Sequence, residues 1–139
     1  MRHTTLLAIV VIVAFAGCGR QTTTTTTPPK ANTMNCTMDI CGAKQIPNPT
    51  ESDIRQAVFA LDTKKDEAFL ILGPTEMTYI QTTGDQKVGF LLEYQENDAK
   101  HHYRSKHNLT ADAIVKALVS YSTGAVDWKT MAEWEPVKW

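Results

Sequence analysis

The chain has 139 residues, with 14 Lys+Arg against 15 Asp+Glu and a formal net charge of -1. Since one domain takes roughly 100 to 200 residues, this length allows a single compact domain. The near-neutral charge excludes the strongly basic surface that displaces counterions from phosphates, so we expect no nucleic-acid partner. Hydrophobic residues make up 42% and charged residues 21%, which is ordinary globular usage and excludes a wholly disordered chain.

Residues 1–17 have the pattern of a secretory signal peptide. Arg2 and His3 precede an apolar run at residues 6–15, and the small residues Ala16 and Gly17 follow it. The apolar stretch is shorter than the roughly 20 residues that a membrane-spanning helix needs. We therefore expect this segment to direct export and to be removed, and not to remain as a membrane span.

The end of this segment, Phe15-Ala16-Gly17-Cys18, resembles the lipobox of bacterial lipoproteins, with Phe15 where Leu is usual. The resemblance implies that the Cys18 thiol receives a diacylglycerol, with fatty acyl chains such as palmitate, and that cleavage follows Gly17. Two or more chains give stable anchoring, so membrane lipid is the expected partner of Cys18. Because Gly19 and not Asp follows, the resemblance favours the periplasmic side of the outer membrane in a Gram-negative host.

Residues 18–50 are expected to link the lipid anchor to the folded domain. Six consecutive threonines at 22–27 and two prolines at 28–29 give a low-complexity stretch without apolar periodicity. Such a stretch cannot bury enough surface to offset its ordering entropy. It is predicted to be a tether that holds the domain away from the membrane.

Two cysteines, Cys36 and Cys41, follow the tether. An even pair of cysteines in an exported, oxidising compartment favours a short disulfide loop. The alternative is a copper site, since Met34 and Met38 would add thioethers to two thiolates and form a soft ligand set for Cu(I). Free thiols are the third reading. Because the cysteine spacing is not that of common metal sites, we assign no metal to the chain.

Residues 51–139 are predicted to form an α+β domain. Thr50 and Asp53 form a capping pair before a helix at 51–62, and Thr110 caps a second helix that ends at Gly124. Strands are predicted at 68–72, closed by Gly73-Pro74, and at 76–82, 88–95, 101–105 and 132–137. The order α-β-β-β-β-α-β favours an antiparallel sheet of about five strands, with the two helices packed on one face.

No catalytic constellation is visible, so we assign no catalytic residue and no cofactor, and we expect a protein that is not an enzyme. His101, His102 and His107 lie among basic residues. Adjacent strand residues point to opposite faces, so this cluster favours an exposed basic strand edge over a metal site. Glu133 and Glu135 flank Trp134 and are predicted to project from a solvated strand face, opposite the tryptophan.

A second resemblance concerns the domain itself. It is carried by the runs at 77–81 and 89–95, by His102-Tyr103, by Tyr121 and Gly124, and by Trp128 and Trp134-Glu135. These residues are similar to a group of small bacterial domains without an assigned activity. They are also weakly similar to immunity proteins of polymorphic toxin systems, which are small α+β domains that bind and block a toxin. The resemblance implies a protein partner.

Together these features predict a lipid-anchored, non-enzymatic binding domain of the cell envelope. The most specific form of this prediction is an immunity-like or inhibitory role. Two alternatives stay open from the sequence. One is a copper-handling lipoprotein that uses the Met/Cys segment. The other is a structural lipoprotein of the envelope.

Overall fold

The computed structural model describes residues 34–65 and 68–138. The strands are β1 (Thr37–Ile40), β2 (Lys44–Pro47), β3 (Phe69–Thr75), β4 (Thr78–Asp85), β5 (Gly89–Gln95), β6 (His102–Ser105) and β7 (Trp134–Pro136). The α-helices are α1 (Glu51–Ala60) and α2 (Ala111–Ser122). Short 3-10 turns lie at Ala99–His101 and Asp127–Thr130. The strands form one sheet in the order β2-β1-β3-β4-β5-β6-β7, and each neighbouring pair is antiparallel.

The predicted α+β class with an antiparallel sheet is confirmed, but the sheet has seven strands and not about five. The two additional strands form the hairpin β1–β2, which lies in the segment where the sequence suggested only a cysteine loop. Four residues in each strand give too short an alternation to be recognised. The hairpin belongs to the sheet because Met38 is fully buried and pairs with Leu72 of β3.

Both helices begin at the predicted caps. Thr50 and Asp53 form a reciprocal capping box, in which each side chain accepts a hydrogen bond from the other residue's backbone N–H. Thr110 accepts a hydrogen bond from the backbone of Ala113 at the start of α2. These side chains satisfy N–H groups that have no partner within the helix, so they fix where each helix starts.

The core lies between the two helices and one face of the sheet, and each strand contributes alternate residues to it. As the alternation in β5 predicts, Phe90, Leu92 and Tyr94 point to the helices, while Leu91 and Glu93 point away. The fully buried aliphatic side chains include Ile54, Val58, Leu70, Leu72, Ile80, Leu92, Ile114 and Leu118. Burial of one such side chain contributes about 1.5–3 kcal/mol, so this face supplies most of the stability.

The two ends of the core are closed differently. At one end, Asp85, the last residue of β4, accepts hydrogen bonds from Thr63, which ties the loop after α1 to the sheet. At the other end, Trp128 and Trp134 pack edge-on against Tyr94, with ring centroids 4.9 and 4.8 Å away. The two tryptophans thus cover an end of the core, and the Trp134 indole donates to the Lys129 carbonyl.

Candidate functional site

The face of the sheet opposite the helices, called the open face below, carries one row of residues that crosses every strand. Cross-strand pairing places these residues side by side in one continuous line. From β2 to β7 the row consists of Gln45, Asp39, Ile71, Gln81, Glu93, Arg104 and Glu135. Six of the seven are polar or charged, so six of the seven strands contribute a hydrogen-bonding side chain to this row, and Ile71 in β3 interrupts it.

Hydrogen bonds between neighbours fix the side chains of this row. Gln45 Nε2 donates to Asp39 Oδ2 at 3.2 Å. Gln81 Nε2 donates to Glu93 Oε2 at 2.5 Å, and Arg104 Nε donates to Glu135 Oε1 at 2.7 Å. Because neighbouring strands hold the partners opposite each other, the row is ordered before any other molecule arrives.

A second row lies next to the first and is more buried. Tyr79 pairs with Gln95, and Gln95 pairs with His102. The Tyr79 hydroxyl donates to Gln95 Oε1 at 3.5 Å, while Gln95 Nε2 donates to the Met77 carbonyl at 3.3 Å. Burial raises the pKa of the Tyr79 phenol, and the nearby Glu93 carboxylate raises it further. The hydroxyl therefore remains a donor at neutral pH.

Glu93 and His102 form the closest approach of an acid and an imidazole on this face. Oε2 of Glu93 lies 3.4 Å from Nε2 of His102, and the His102 ring stands edge-on to Tyr79. A carboxylate beside an imidazole could transfer protons if substrate reached it. The His102 side chain, however, is only 3% exposed, so this contact holds Glu93 in place and does not present an imidazole at the surface.

Two ion pairs cover the part of the open face at β6 and β7. Arg104 pairs with Glu135, and Lys106 Nζ lies 3.2 Å from Glu133 Oε2. Glu135 lies in β7 as predicted, whereas Glu133 directly precedes the strand, and Trp134 between them packs with the core. Since each carboxylate has a cation beside it, this part of the face is close to neutral.

A groove of about 450 Å³ lies at the opposite side of the open face, along β1 and β3. Its walls include Thr37, Asp39, Ile71, Pro74, Thr75 and Glu76. The strand does not close at Gly73-Pro74 as predicted but continues to Thr75, with a bulge between Leu72 and Thr75. The bulge requires glycine, because a Cβ at Gly73 would lie 2.4 Å from the Thr78 carbonyl oxygen.

The histidines do not form the predicted exposed strand edge, and that prediction is wrong. The strand begins at His102, not His101, and β6 lies between β5 and β7 inside the sheet. His101 is exposed and pairs with Asp98 at 2.9 Å, whereas His102 is buried and His107 is exposed beyond the strand. Only His102 of the three lies in a strand, so the cluster is separated because His101 belongs to the preceding 3-10 turn and His107 follows the strand.

Cys36 and Cys41 are free thiols in the structure, which differs from the predicted disulfide. The whole of β1 lies between them, and five extended steps separate their Cα atoms by about 16 Å. A disulfide needs Cα atoms within about 7 Å. The strand pairing of β1 therefore excludes the bond. Burial raises the pKa of Cys36, while the Cys41 thiol lies near the Phe69 carbonyl at 3.4 Å.

The same geometry separates Cys41 from the other alternative copper ligands. Cys36 and Met38 are buried on the core side of β1, whereas Cys41 lies in the turn beyond its far end. Met34 is partly buried and packs against the core. Across residues 34–65 and 68–138, no group of three or more His, Cys, Asp or Glu side chains is arranged to hold a metal ion.

The sequence analysis did not identify the polar row, although one part of it was readable. In the sequence, Phe90, Leu92 and Tyr94 alternate with Leu91 and Glu93, which predicts that Glu93 lies on the face opposite the three. Asp39 and Gln45 could not be assigned to that face because the hairpin carrying them was not predicted. The pairing of Arg104 with both Glu93 and Glu135 depends on strand order, which the linear sequence does not specify.

Residues 1–33, with the predicted signal peptide and Cys18, lie outside the described part of the chain. Within the part that is described, neither helix has the length and apolar character required to cross a bilayer. Comparisons with protein-family models, with curated proteins and with solved structures find no match to this chain.

Proposed function

We propose that this chain is a lipid-anchored, non-enzymatic binding protein of the cell envelope, and that a protein partner docks on the open face of its sheet. The observation that carries the proposal is the polar row, which crosses all seven strands on the face that the helices leave uncovered. A row of preordered donors and acceptors lowers the entropy lost on association.

The helix layer is the weaker candidate for a partner. Most of its apolar surface is already used in the core, where Ile54, Val58, Ile114 and Leu118 have no exposed surface, and Phe59 is the large apolar side chain that the described helices leave exposed. The open face instead has half-buried apolar residues, such as Ile71 and Leu91, beside its polar groups. Specific interfaces combine apolar contact with hydrogen bonds in this way.

The point where the described chain begins is compatible with an anchor on the other side of the molecule. The Met34 backbone N–H donates to the carbonyl of Ser122 at the end of α2, at 3.0 Å. The described chain therefore begins next to the helix layer. A partner on the open face would not compete with a connection at that point.

The immunity-like form of the proposal rests on the second resemblance. In this form the partner is a toxin, and the open face blocks it by occupying a surface that the toxin needs. The alternative is a structural lipoprotein of the envelope, whose contacts need not involve the open face. The crosslinking experiment below distinguishes the two.

Site-specific photo-crosslinking in the host envelope tests the docking surface. The probe replaces Thr83, an exposed residue of β4 on the open face, and in a matched variant Lys116, an exposed residue of α2. We expect one crosslinked protein at position 83 and none at position 116. With that partner purified, Thr83→Arg should raise its Kd at least tenfold, while Lys116→Glu should leave it unchanged. Crosslinking at 116 alone, or at neither position, would contradict the proposal.

The anchor has a separate test. Mass spectrometry of the mature N-terminus should find Cys18 as the first residue, carrying diacylglycerol, and labelled palmitate should enter the wild-type chain but not Cys18→Ser. An intact Met1 in the soluble fraction would rule out the lipid anchor, whatever the crosslinking shows.

A further inference from the structure

The groove along β1 and β3 differs electrostatically from the rest of the open face. Asp39 and Glu76 contribute two carboxylates to its walls, and none of the described residues lining it is basic. At β6 and β7, by contrast, Glu133 and Glu135 are each paired with a cation. Within the described residues neither Asp39 nor Glu76 forms an ion pair, so the groove carries negative charge that no neighbouring cation offsets.

The carboxylate of Asp39 is held in place but retains capacity to bind. Its Oδ1 accepts from the Gly42 N–H at 2.7 Å, and its Oδ2 accepts from Gln45 at 3.2 Å. An ionised carboxylate offers about four acceptor sites, so about half of them remain for another donor. Neither of its present partners is charged, and a cation would bind there more strongly than a neutral donor.

The walls between the two acids are partly apolar. Ile71 is half-buried and Pro74 is exposed, and both line the same groove as the two carboxylates. A ligand that matches this arrangement has an aliphatic stem and a cationic end. Lysine and arginine side chains have that composition, because their methylene groups cover apolar surface while the charged head stays at a polar site.

We propose that the groove receives a lysine or arginine side chain of the partner protein, with its stem against Ile71 and Pro74 and its charge beside Asp39 and Glu76. This inference rests on the proposed function for its occupant, since it commits to a protein as the source of the cation. It makes the groove the specificity-determining part of the open face, and it implies a partner with a basic docking surface.

The experiment uses the full chain in uncharged detergent micelles and two blocked tripeptides as probes. One has lysine at its centre, and the other has norleucine, which has a similar stem but no charge. Backbone amide shifts measured by NMR should move for residues around Ile71 and Glu76, with a Kd at least fivefold lower for the lysine peptide. In Asp39→Asn/Glu76→Gln that preference should disappear. In the matched Glu133→Gln/Glu135→Gln variant it should persist.

Three results would overturn the groove as a cation site: equal binding of both peptides, shifts spread over the ion-paired half as well, or an unchanged preference in Asp39→Asn/Glu76→Gln. The affinity of the partner identified by crosslinking at position 83 distinguishes a failure of the groove proposal from a failure of the proposed function. If its affinity is the same for the wild type and the groove variant, the groove proposal fails and protein binding stands. If the lysine preference is found but no partner crosslinks, the protein occupant is wrong.

Discussion

The two faces of the sheet are built from the same strands and yet have opposite character. In β5, Leu92 has no exposed surface and packs under the helices, while its neighbour Leu91 is half-buried on the open face. One step along the chain changes the environment because strand side chains alternate. Stability and the proposed docking surface therefore depend on alternate residues of the same segments, and we expect them to respond separately to substitution.

We expect the largest difference in stability between the two faces from a matched pair of leucine truncations in β5. Leu92→Ala should lower the free energy of unfolding by about 2–5 kcal/mol, because it leaves a cavity in the close-packed core. Leu91→Ala should cost about 1 kcal/mol, since its site is partly hydrated. Urea unfolding followed by circular dichroism measures both. Equal losses would mean that the open face is covered in solution.

A second pair of substitutions makes the same comparison in the β1–β2 hairpin, which was not predicted from the sequence. Met38→Ala in β1 should cost about 2–5 kcal/mol, because Met38 is fully buried against β3. Thr37→Ala, next to it and exposed, should stay within about 0.5 kcal/mol. The same unfolding experiment applies. A small effect at Met38 would show that β1 is not part of the cooperative core.

At the end of the core near Asp85, the stability of the fold is expected to depend on pH. Hydrogen bonds from the Thr63 side chain, and then from the Val88 and Lys87 backbones, hold the pKa of this carboxyl below its ordinary value. A group with a lowered folded pKa stabilises the fold above its unfolded pKa of about 3.9, and that stability is lost as pH falls through the folded pKa.

Asp85→Asn should therefore be less stable than the wild type at pH 7, and the difference should shrink below about pH 4. Unfolding midpoints measured from pH 7 down to pH 2 give the comparison. Asp127→Asn, at an exposed carboxylate, serves as the control and should follow the wild-type curve. A difference that does not depend on pH would show that the loss is steric and not electrostatic.

The smallest expected effect belongs to the open face itself. Arg104 and Glu135 are each about half exposed, so a double-mutant cycle with alanine at both positions should give a coupling of only about 0.2–1 kcal/mol. The coupling should decrease at 1 M salt, where charges are screened over about 3 Å. A coupling of several kcal/mol would show that the open face contributes to folding as well.

Much of the fold could be predicted because its signals are local. The Thr50–Asp53 box and the Thr110 cap fixed the helix starts, and the alternation of Phe90 to Tyr94 fixed the core face of β5. The hairpin was missed because Met38 is its only fully buried residue. Most of the site was missed because its row is assembled by strand pairing between distant segments, and the cysteine prediction failed because β1 separates the two thiols.

Both outer strands of the sheet end in proline, Pro47 in β2 and Pro136 in β7. A proline has no N–H to donate, so neither border offers a complete backbone ladder to another sheet. With the proposed lipid anchor, many copies would share one membrane surface at high local concentration, where pairing of outer strands could link them into polymers. The prolines oppose such pairing, so we expect the copies to stay separate and each proposed docking surface to remain available.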